Sequence, residues 1–300
     1  MSGIEVLRTG SQTLIEDLGR PGLAAIGVSR SGVADLGAYK LGARLLGHDF
    51  SADGPRDPGP AALEVLLGGL EFRVHGELTI ALTGAAVPAT QDGRLVDANA
   101  PIRLRDRQVL RLGSAERGLR CYVSFRGGLD VEPVLGSRSR DTLAELGPLV
   151  EPGSFLPVGA AQGQAQPLVD HAAIPALPDA VVDVDFLPGP RADWLADLGA
   201  LTSTSWLVSE RSNRVGVRLV GEPLARATQF DGAELPSEGV VRGTIQVPPG
   251  GEPVVFLSDH PVTGGYPSVG VLTRAAADRA AQARPGQRIR LQPVSRKGQP

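Results

Sequence analysis

The feature that most constrains this chain is its punctuation. Thirty-nine glycines and 25 prolines are spread through 300 residues, and they recur between short runs of Val, Ile and Leu. Glycine supplies turn conformations that other residues resist, and proline ends strand pairing, so this spacing reads as many short strands joined by turns. A mainly helical protein is excluded. Three hundred residues allow two domains or one large β architecture. At 42% hydrophobic and 21% charged, the chain can bury a sizeable core as a soluble globular protein.

Residues 4–18 read as one or two strands ended by Gly19-Arg20-Pro21-Gly22. A helix is expected from Asp35, a good N-cap, because Leu36, Tyr39, Ala43 and Leu46 follow at three- and four-residue spacing and Gly47 closes the run. Gly37 and Gly42 lie inside it, each costing up to ~1 kcal/mol of helix propensity, so packing must hold this helix. Residues 62–67, 71–74, 78–82, 102–104, 109–112 and 119–125 read as short strands. Residues 147–178 are rich in Pro, Gly, Ala and Gln with little periodicity, and give the expected domain boundary: residues 1–178, then 179–300. In the second part, 180–186, 215–219, 254–257 and 287–291 read as strands, with helices at 192–198 and 272–283.

The chain also repeats itself. Arg44-Leu45-Leu46-Gly47 resembles Arg218-Leu219-Val220-Gly221, 174 residues later, and Glu64 and Gly69 have counterparts at Glu238 and Gly243. Residues 107–112 resemble 286–291, at an offset of 179. An ordered set at nearly constant spacing predicts a duplicated β unit.

Several function classes are excluded. A net charge of −3 argues against a nucleic-acid binder. No apolar run is long enough for a membrane helix, and the first residues lack the charged and apolar regions of a secretory signal, so the expectation is a cytoplasmic protein. Lys40 and Lys297 are the only lysines, and neither lies in a Walker-type phosphate loop. Methionine occurs only as Met1, so the Met-Lys-Met hairpin of a biotin carrier is absent. Cys121 allows no internal disulfide and reads as a buried small hydrophobe. Four histidines with no His-Glu-x-x-His and no Cys-x-x-Cys predict no metal site. Asp259-His260 looks like half of a hydrolytic triad, but adjacent strand residues face opposite sides, which triad geometry does not allow.

Four stretches carry more polar chemistry than plain turns need. Residues 16–22 place Glu16 and Asp17 beside Arg20; they can position a polar substrate or form a salt-bridged turn. Residues 136–141, Gly-Ser-Arg-Ser-Arg-Asp, combine backbone amides, two hydroxyls and two guanidiniums into a receptor for carboxylate or phosphate, or a solvated loop. In residues 237–250, Thr244, Gln246 and Pro248 share one strand face, as suits the lip of a site. In residues 263–267, Gly264 and Gly265 let backbone approach a ligand, while Thr263 and Tyr266 offer hydroxyls.

On these stretches, together with Ser31-Gly32, Asp35, Leu63-Glu64 and Leu82-Thr83-Gly84, the chain resembles the carboxyltransferase proteins called allophanate hydrolase subunit 2. That family includes the C-type subunit of 5-oxoprolinase and the sporulation regulator KipA. The resemblance covers nearly the whole chain. It departs from the family's usual pattern at Glu16, Arg30, Ala34, Gly42-Ala43, His48 and Arg140.

The resemblance implies a mainly β protein of two tandem cyclophilin-like β-barrel units with a few short helices. It implies one component of an ATP-dependent complex that opens 5-oxo-L-proline to L-glutamate. The implied partners are subunit 1 of the same family, which is the B-type subunit of the oxoprolinase, and a LamB-type third component. Alternatives are a carboxyltransferase moving carboxyl from carboxybiotin, carried by another chain, to a urea-like amide, and a KipA-like regulator without catalysis. ATP would act at the complex. The catalytic candidates are Glu238, Asp17, Gln246 and Tyr266, with Glu238 or Asp17 as general acid or base through a raised pKa. Arg20, Arg138, Ser139, Thr244, Pro248, Thr263, Gly264 and Gly265 are the substrate-binding candidates, the arginines as bidentate donors.

Overall fold

The computed structural model describes residues 2–50, 54, 57–161, 165, 169–173 and 177–294; parts of the expected boundary segment therefore lie outside the described residues. The chain divides into two compact units. The first holds residues 1–21 and 31–177, the second residues 22–30 and 178–300. Among the described residues no helix is long and apolar enough to cross a membrane.

Unit 1 contains β1 (Gly3–Thr9), β2 (Gln12–Glu16), α1 (Leu36–Leu45), β3 (Ala62–Leu66), β4 (Leu70–His75), β5 (Leu78–Ala86), β6 (Ala89–Gln91), β7 (Arg94–Val96), β8 (Pro101–Leu104), β9 (Val109–Leu112), β10 (Arg117–Phe125) and β11 (Phe155–Pro157). They pair as a six-stranded sheet, β11-β1-β4-β9-β6-β7, and a five-stranded sheet, β2-β3-β10-β5-β8. The alternating apolar residues of both sheets meet in one core, with Ile4, Val6, Phe72 and Val74 from the first and Leu63, Val65, Ile80 and Val123 from the second. Burying that apolar surface is what holds the two sheets together.

α1 begins where its cap predicts: the Asp35 carboxylate accepts the Ala38 N–H at 2.9 Å. Gly42 is the reason it can sit down on the sheet. A Cβ there would lie 2.4 Å from Ser124 Oγ on β10 and 3.1 Å from Thr83 Oγ1 on β5, and Thr83 Oγ1 donates to the Ala38 carbonyl at 2.8 Å. The propensity lost at glycine is exchanged for close approach.

Unit 2 contains β12 (Val181–Pro188), α2 (Leu198–Ser203), β13 (Ser205–Val208), β14 (Gly216–Val220), β15 (Glu238–Gly239), β16 (Thr244–Gln246), β17 (Val254–Phe256), β18 (Thr263–Gly264), β19 (Ser268–Leu272), α3 (Arg274–Ala281) and β20 (Arg288–Pro293). Seven strands close into a barrel, β12-β19-β16-β17-β14-β13-β20, and β15 pairs with β18 as a separate ladder. The mainly β architecture in tandem units follows the expected fold class.

Two local expectations are corrected. The helix read at 192–198 is a 3-10 turn, Ala192–Trp194, followed by a separate α2. Leu195 between them is extended and bridges to Arg226, and Asp197 then starts a new helix by accepting the Gly199 N–H at 2.7 Å. The repeat at offset 174 also fails as structure. Arg44-Leu45 ends a helix whereas Arg218–Val220 lies in β14, and Glu64 is buried in β3 whereas Glu238 sits half-exposed in β15. The repeat at offset 179 is real. Gln108 Oε1 accepts the Arg105 N–H and Gln287 Oε1 accepts the Arg284 N–H, both at 2.7 Å. The residue before each glutamine has positive φ, 66° at Arg107 and 85° at Gly286, and each turn leads into a strand.

Candidate functional site

The N-terminal motif residues form a buried latch within unit 1. Asp17, the residue after β2, is fully buried. Its carboxylate accepts Ser137 Oγ and Ser139 Oγ, each at 2.6 Å, the Arg138 N–H at 2.7 Å and the Gly19 N–H at 2.8 Å. The hydroxyls and one amide of residues 136–141 thus hold a carboxylate, that of Asp17, while the Arg138 and Arg140 guanidiniums expected in the receptor turn to backbone carbonyls instead. This corrects two expectations. Asp17 spends its carboxylate on four donors of its own unit, so it anchors the loop rather than facing a substrate. Ser139 spends its hydroxyl and its amide inside the same latch, the amide on Ser137 Oγ at 3.0 Å.

The two arginines are committed as well. Arg20 is 1% exposed; its Nε donates to the Val134 carbonyl and its Nη2 to that of Ser139. Only Nη1 has no acceptor among the described residues, so Arg20 presents no two-pronged fork to a substrate. Arg138 Nε donates to the Val131 carbonyl at 2.8 Å and its Nη2 stands 3.7 Å from Asp130.

Glu64, Tyr122 and Arg120 form a second buried network. Glu64 accepts the Tyr122 hydroxyl at 2.7 Å and the Ala34 N–H at 3.0 Å, with Arg120 Nε 3.3 Å away. Burial first, then the Glu64 charge, push the Tyr122 phenol well above its usual range. Burial also pushes the Cys121 thiol up to about 12, which leaves it inert. Asp259 forms a bidentate pair with Arg214 at 2.9 and 3.0 Å, and His260 Nδ1 lies 2.7 Å from the Pro261 carbonyl. Asp259 thus has both carboxylate oxygens on Arg214.

The C-terminal candidates come together within unit 2. In the β15–β18 ladder Glu238 pairs with Gly264 and Gly239 with Thr263. Gln246, on β16, is buried and reaches across to this hairpin, its Nε2 donating to the Tyr266 carbonyl at 3.0 Å. Gly264 makes room for it: a Cβ there would lie 2.6 Å from Gln246 Nε2. Thr263, Gly265 and Tyr266 are exposed. Thr244 is buried and its Oγ1 accepts the Val241 N–H at 3.1 Å, closing the turn before β16 rather than facing a ligand. The Pro248 carbonyl accepts the Gly251 N–H in the turn beyond it.

Arg191 is the residue that motif reading missed. It lies 47 positions before Glu238 and grips that carboxylate with Nε at 3.1 and 3.3 Å and also with Nη2. The Arg191 guanidinium holds the Glu238 carboxyl below its usual range. The expectation of a raised pKa at Glu238 is thereby overturned: a neighbouring cation, not shielding, sets its ionisation. No short motif signals such a pair, because Arg191 opens a turn and Glu238 sits in a two-residue strand. Among the described residues no three His, Cys, Asp or Glu side chains cluster to hold a metal ion.

Comparison with known proteins agrees with this organisation. The family described as carboxyltransferase domain, subdomain A and B, matches residues 26–293. The C-type subunit of 5-oxoprolinase from Escherichia coli (strain K12) is 33% identical over 299 residues, covering 95% of this chain and 89% of that protein. Urea amidolyase of Saccharomyces cerevisiae is 30% identical, covering 98% of this chain but 17% of that protein. The solved K. lactis urea amidolyase gives a TM-score of 0.88 at 28% identity, over 98% of this chain and 19% of that one. The chain thus spans under a fifth of these urea amidolyases. It belongs to the carboxyltransferase domain family, subdomains A and B.

Proposed function

We propose that this chain is the C-type subunit of a cytoplasmic, ATP-dependent complex that opens a small cyclic amide, 5-oxo-L-proline, to L-glutamate. A B-type subunit and a LamB-type third component complete it. The observation that carries this reading is the similarity to the C-type subunit of 5-oxoprolinase, which extends over 89% of that protein. The hairpin site suits the substrate class. The Gln246 amide, the Thr263 and Tyr266 hydroxyls and the backbone at Gly264-Gly265 lie within one local structure, and an amide ring needs such donors and acceptors around it.

Two features argue that ATP is held by another component of the complex. The segment with the character of a phosphate receptor, 136–141, is filled by Asp17, and no Walker-type loop is present. In this reading nucleotide chemistry is assigned to another component of the complex.

A second reading is favoured by the family description itself and by the likeness to urea amidolyase: transfer of carboxyl to a urea-like amide from carboxybiotin on another chain. Co-expression with the products of the neighbouring reading frames separates the two. ATP hydrolysis that depends on 5-oxo-L-proline and yields glutamate supports the first reading. Carboxylation of urea, dependent on a biotinylated partner, supports the second. An assembled complex that turns over neither substrate contradicts both.

A further inference from the structure

Most arginine–carboxylate pairs of unit 2 are part of its framework. Arg214–Asp259 is closed, with side chains 2% and 0% exposed. Arg290–Asp183 and Arg279–Asp185 tie β20 and α3 to β12. Arg191–Glu238 differs in where it stands. Its side chains are about one-third exposed, as those of Arg279–Asp185 also are, but its carboxylate, Glu238, stands on the β15–β18 ladder, whose second strand runs into Tyr266.

Its mounting is firm. The Arg191 N–H donates to the Ser268 carbonyl at 3.3 Å and the Gly189 N–H to that of Val269 at 2.8 Å. Ser268 is also the strand partner of Gln246, and its Oγ is buried with no hydrogen-bond partner among the described residues. Backbone and side-chain contacts therefore link Arg191 to Glu238 and to Ser268, Ser268 to Gln246, and Gln246 to Tyr266.

We propose that Arg191 recognises the carboxylate of the substrate, and that Glu238 is an internal carboxylate occupying Arg191 until an anionic substrate takes its place. The inference rests on the proposed reading of the substrate as a small amide bearing a carboxylate. A guanidinium edge accommodates one carboxylate at a time, and the two-nitrogen grip on Glu238 is the grip a ligand carboxylate would use. Water screens a partly exposed pair, so exchange is easy here and forbidden at buried Arg214. The Arg191 guanidinium also holds the Glu238 carboxyl below its usual range. No covalent bond changes: the substrate carboxylate moves onto the guanidinium and the Glu238 carboxylate moves off it. Arg20 and Arg138 are less suited to this role, since Arg20 Nε and Nη2 and Arg138 Nε already donate to backbone carbonyls and Arg138 Nη2 stands 3.7 Å from Asp130.

The test is calorimetric titration of the assembled complex with 5-oxo-L-proline and with 2-pyrrolidinone, the same ring without the carboxylate. Arg191→Gln should weaken 5-oxo-L-proline binding by about 10- to 100-fold, the size of a lost charge-assisted contact. Glu238→Gln should tighten it several-fold (on the order of 3-fold or more), because the charged competitor is gone. Neither change should move 2-pyrrolidinone binding. Wild-type affinity for 5-oxo-L-proline in Arg191→Gln overturns the proposal, and so does an equal loss of both ligands, which would mark Arg191 as a support for the loop. If the wild-type complex binds no 5-oxo-L-proline, the substrate reading fails on its own. The Arg191 assignment is then judged with acetate: it stands if Arg191→Gln abolishes acetate binding and falls if it does not.

Discussion

Asp17 and Ser139, 122 residues apart, are hydrogen-bonded to each other twice. Ser139 Oγ donates to the Asp17 carboxylate at 2.6 Å and accepts the Asp17 N–H at 2.8 Å. The hydroxyl is thus donor and acceptor at once, and it locks β2 to the 134–140 loop.

Replacing Asp17 by Asn should therefore act on stability before activity. The amide keeps the shape but turns one acceptor into a donor that faces buried donors. A cost of about 2–4 kcal/mol is expected for that mismatch. Urea unfolding of the purified chain measures it, and a loss below about 1 kcal/mol would show that the latch is not under this constraint.

Gly42→Ala should destabilise the protein although alanine favours helix by up to about 1 kcal/mol. The new Cβ would meet Ser124 Oγ at 2.4 Å, so α1 must lift from β10 or Ser124 must turn. A double-mutant cycle with Ser124→Ala isolates the clash, and the penalty of Gly42→Ala should shrink in that background. Equal penalties in both backgrounds would place the cost elsewhere.

Much of this was legible in the sequence, and the misses share a cause. α1 could be read from a cap and a period, both local. The turn preceding β9 and β20 could be read from a repeated glutamine, because Gln108 and Gln287 each close a turn onto a residue three positions back. The match of Arg44–Gly47 with Arg218–Gly221 misled because four residues of Arg, Leu, Val and Gly carry no period, and tertiary packing made one a helix end and the other a strand. Residues 136–141 had the right chemistry, but sequence could not reveal that the ligand was Asp17, brought in from the far end of the unit. Arg191 escaped notice for the same reason. Its partner is chosen by the path of the barrel strands, not by spacing.

Acidification should reveal the Arg191–Glu238 pair. Because Arg191 lowers the folded-state pKa of Glu238, the pair's stabilisation is present above the ordinary carboxylate range and is lost as pH falls through the lowered value. A carbon-detected NMR titration should place the Glu238 midpoint below that of an unpaired glutamate, and Arg191→Gln should return it to the ordinary range. An unchanged midpoint in the variant would mean that Arg191 does not set this ionisation.

The claim that the unit 2 hairpin handles the substrate is tested most directly by kcat/KM for 5-oxo-L-proline in the reconstituted complex carrying Gln246→Ala and Tyr266→Phe together. A variant that co-purifies normally with its partners should lose activity by about 100-fold or more, the scale of removing positioned polar contacts. Wild-type turnover in that intact complex would contradict the account.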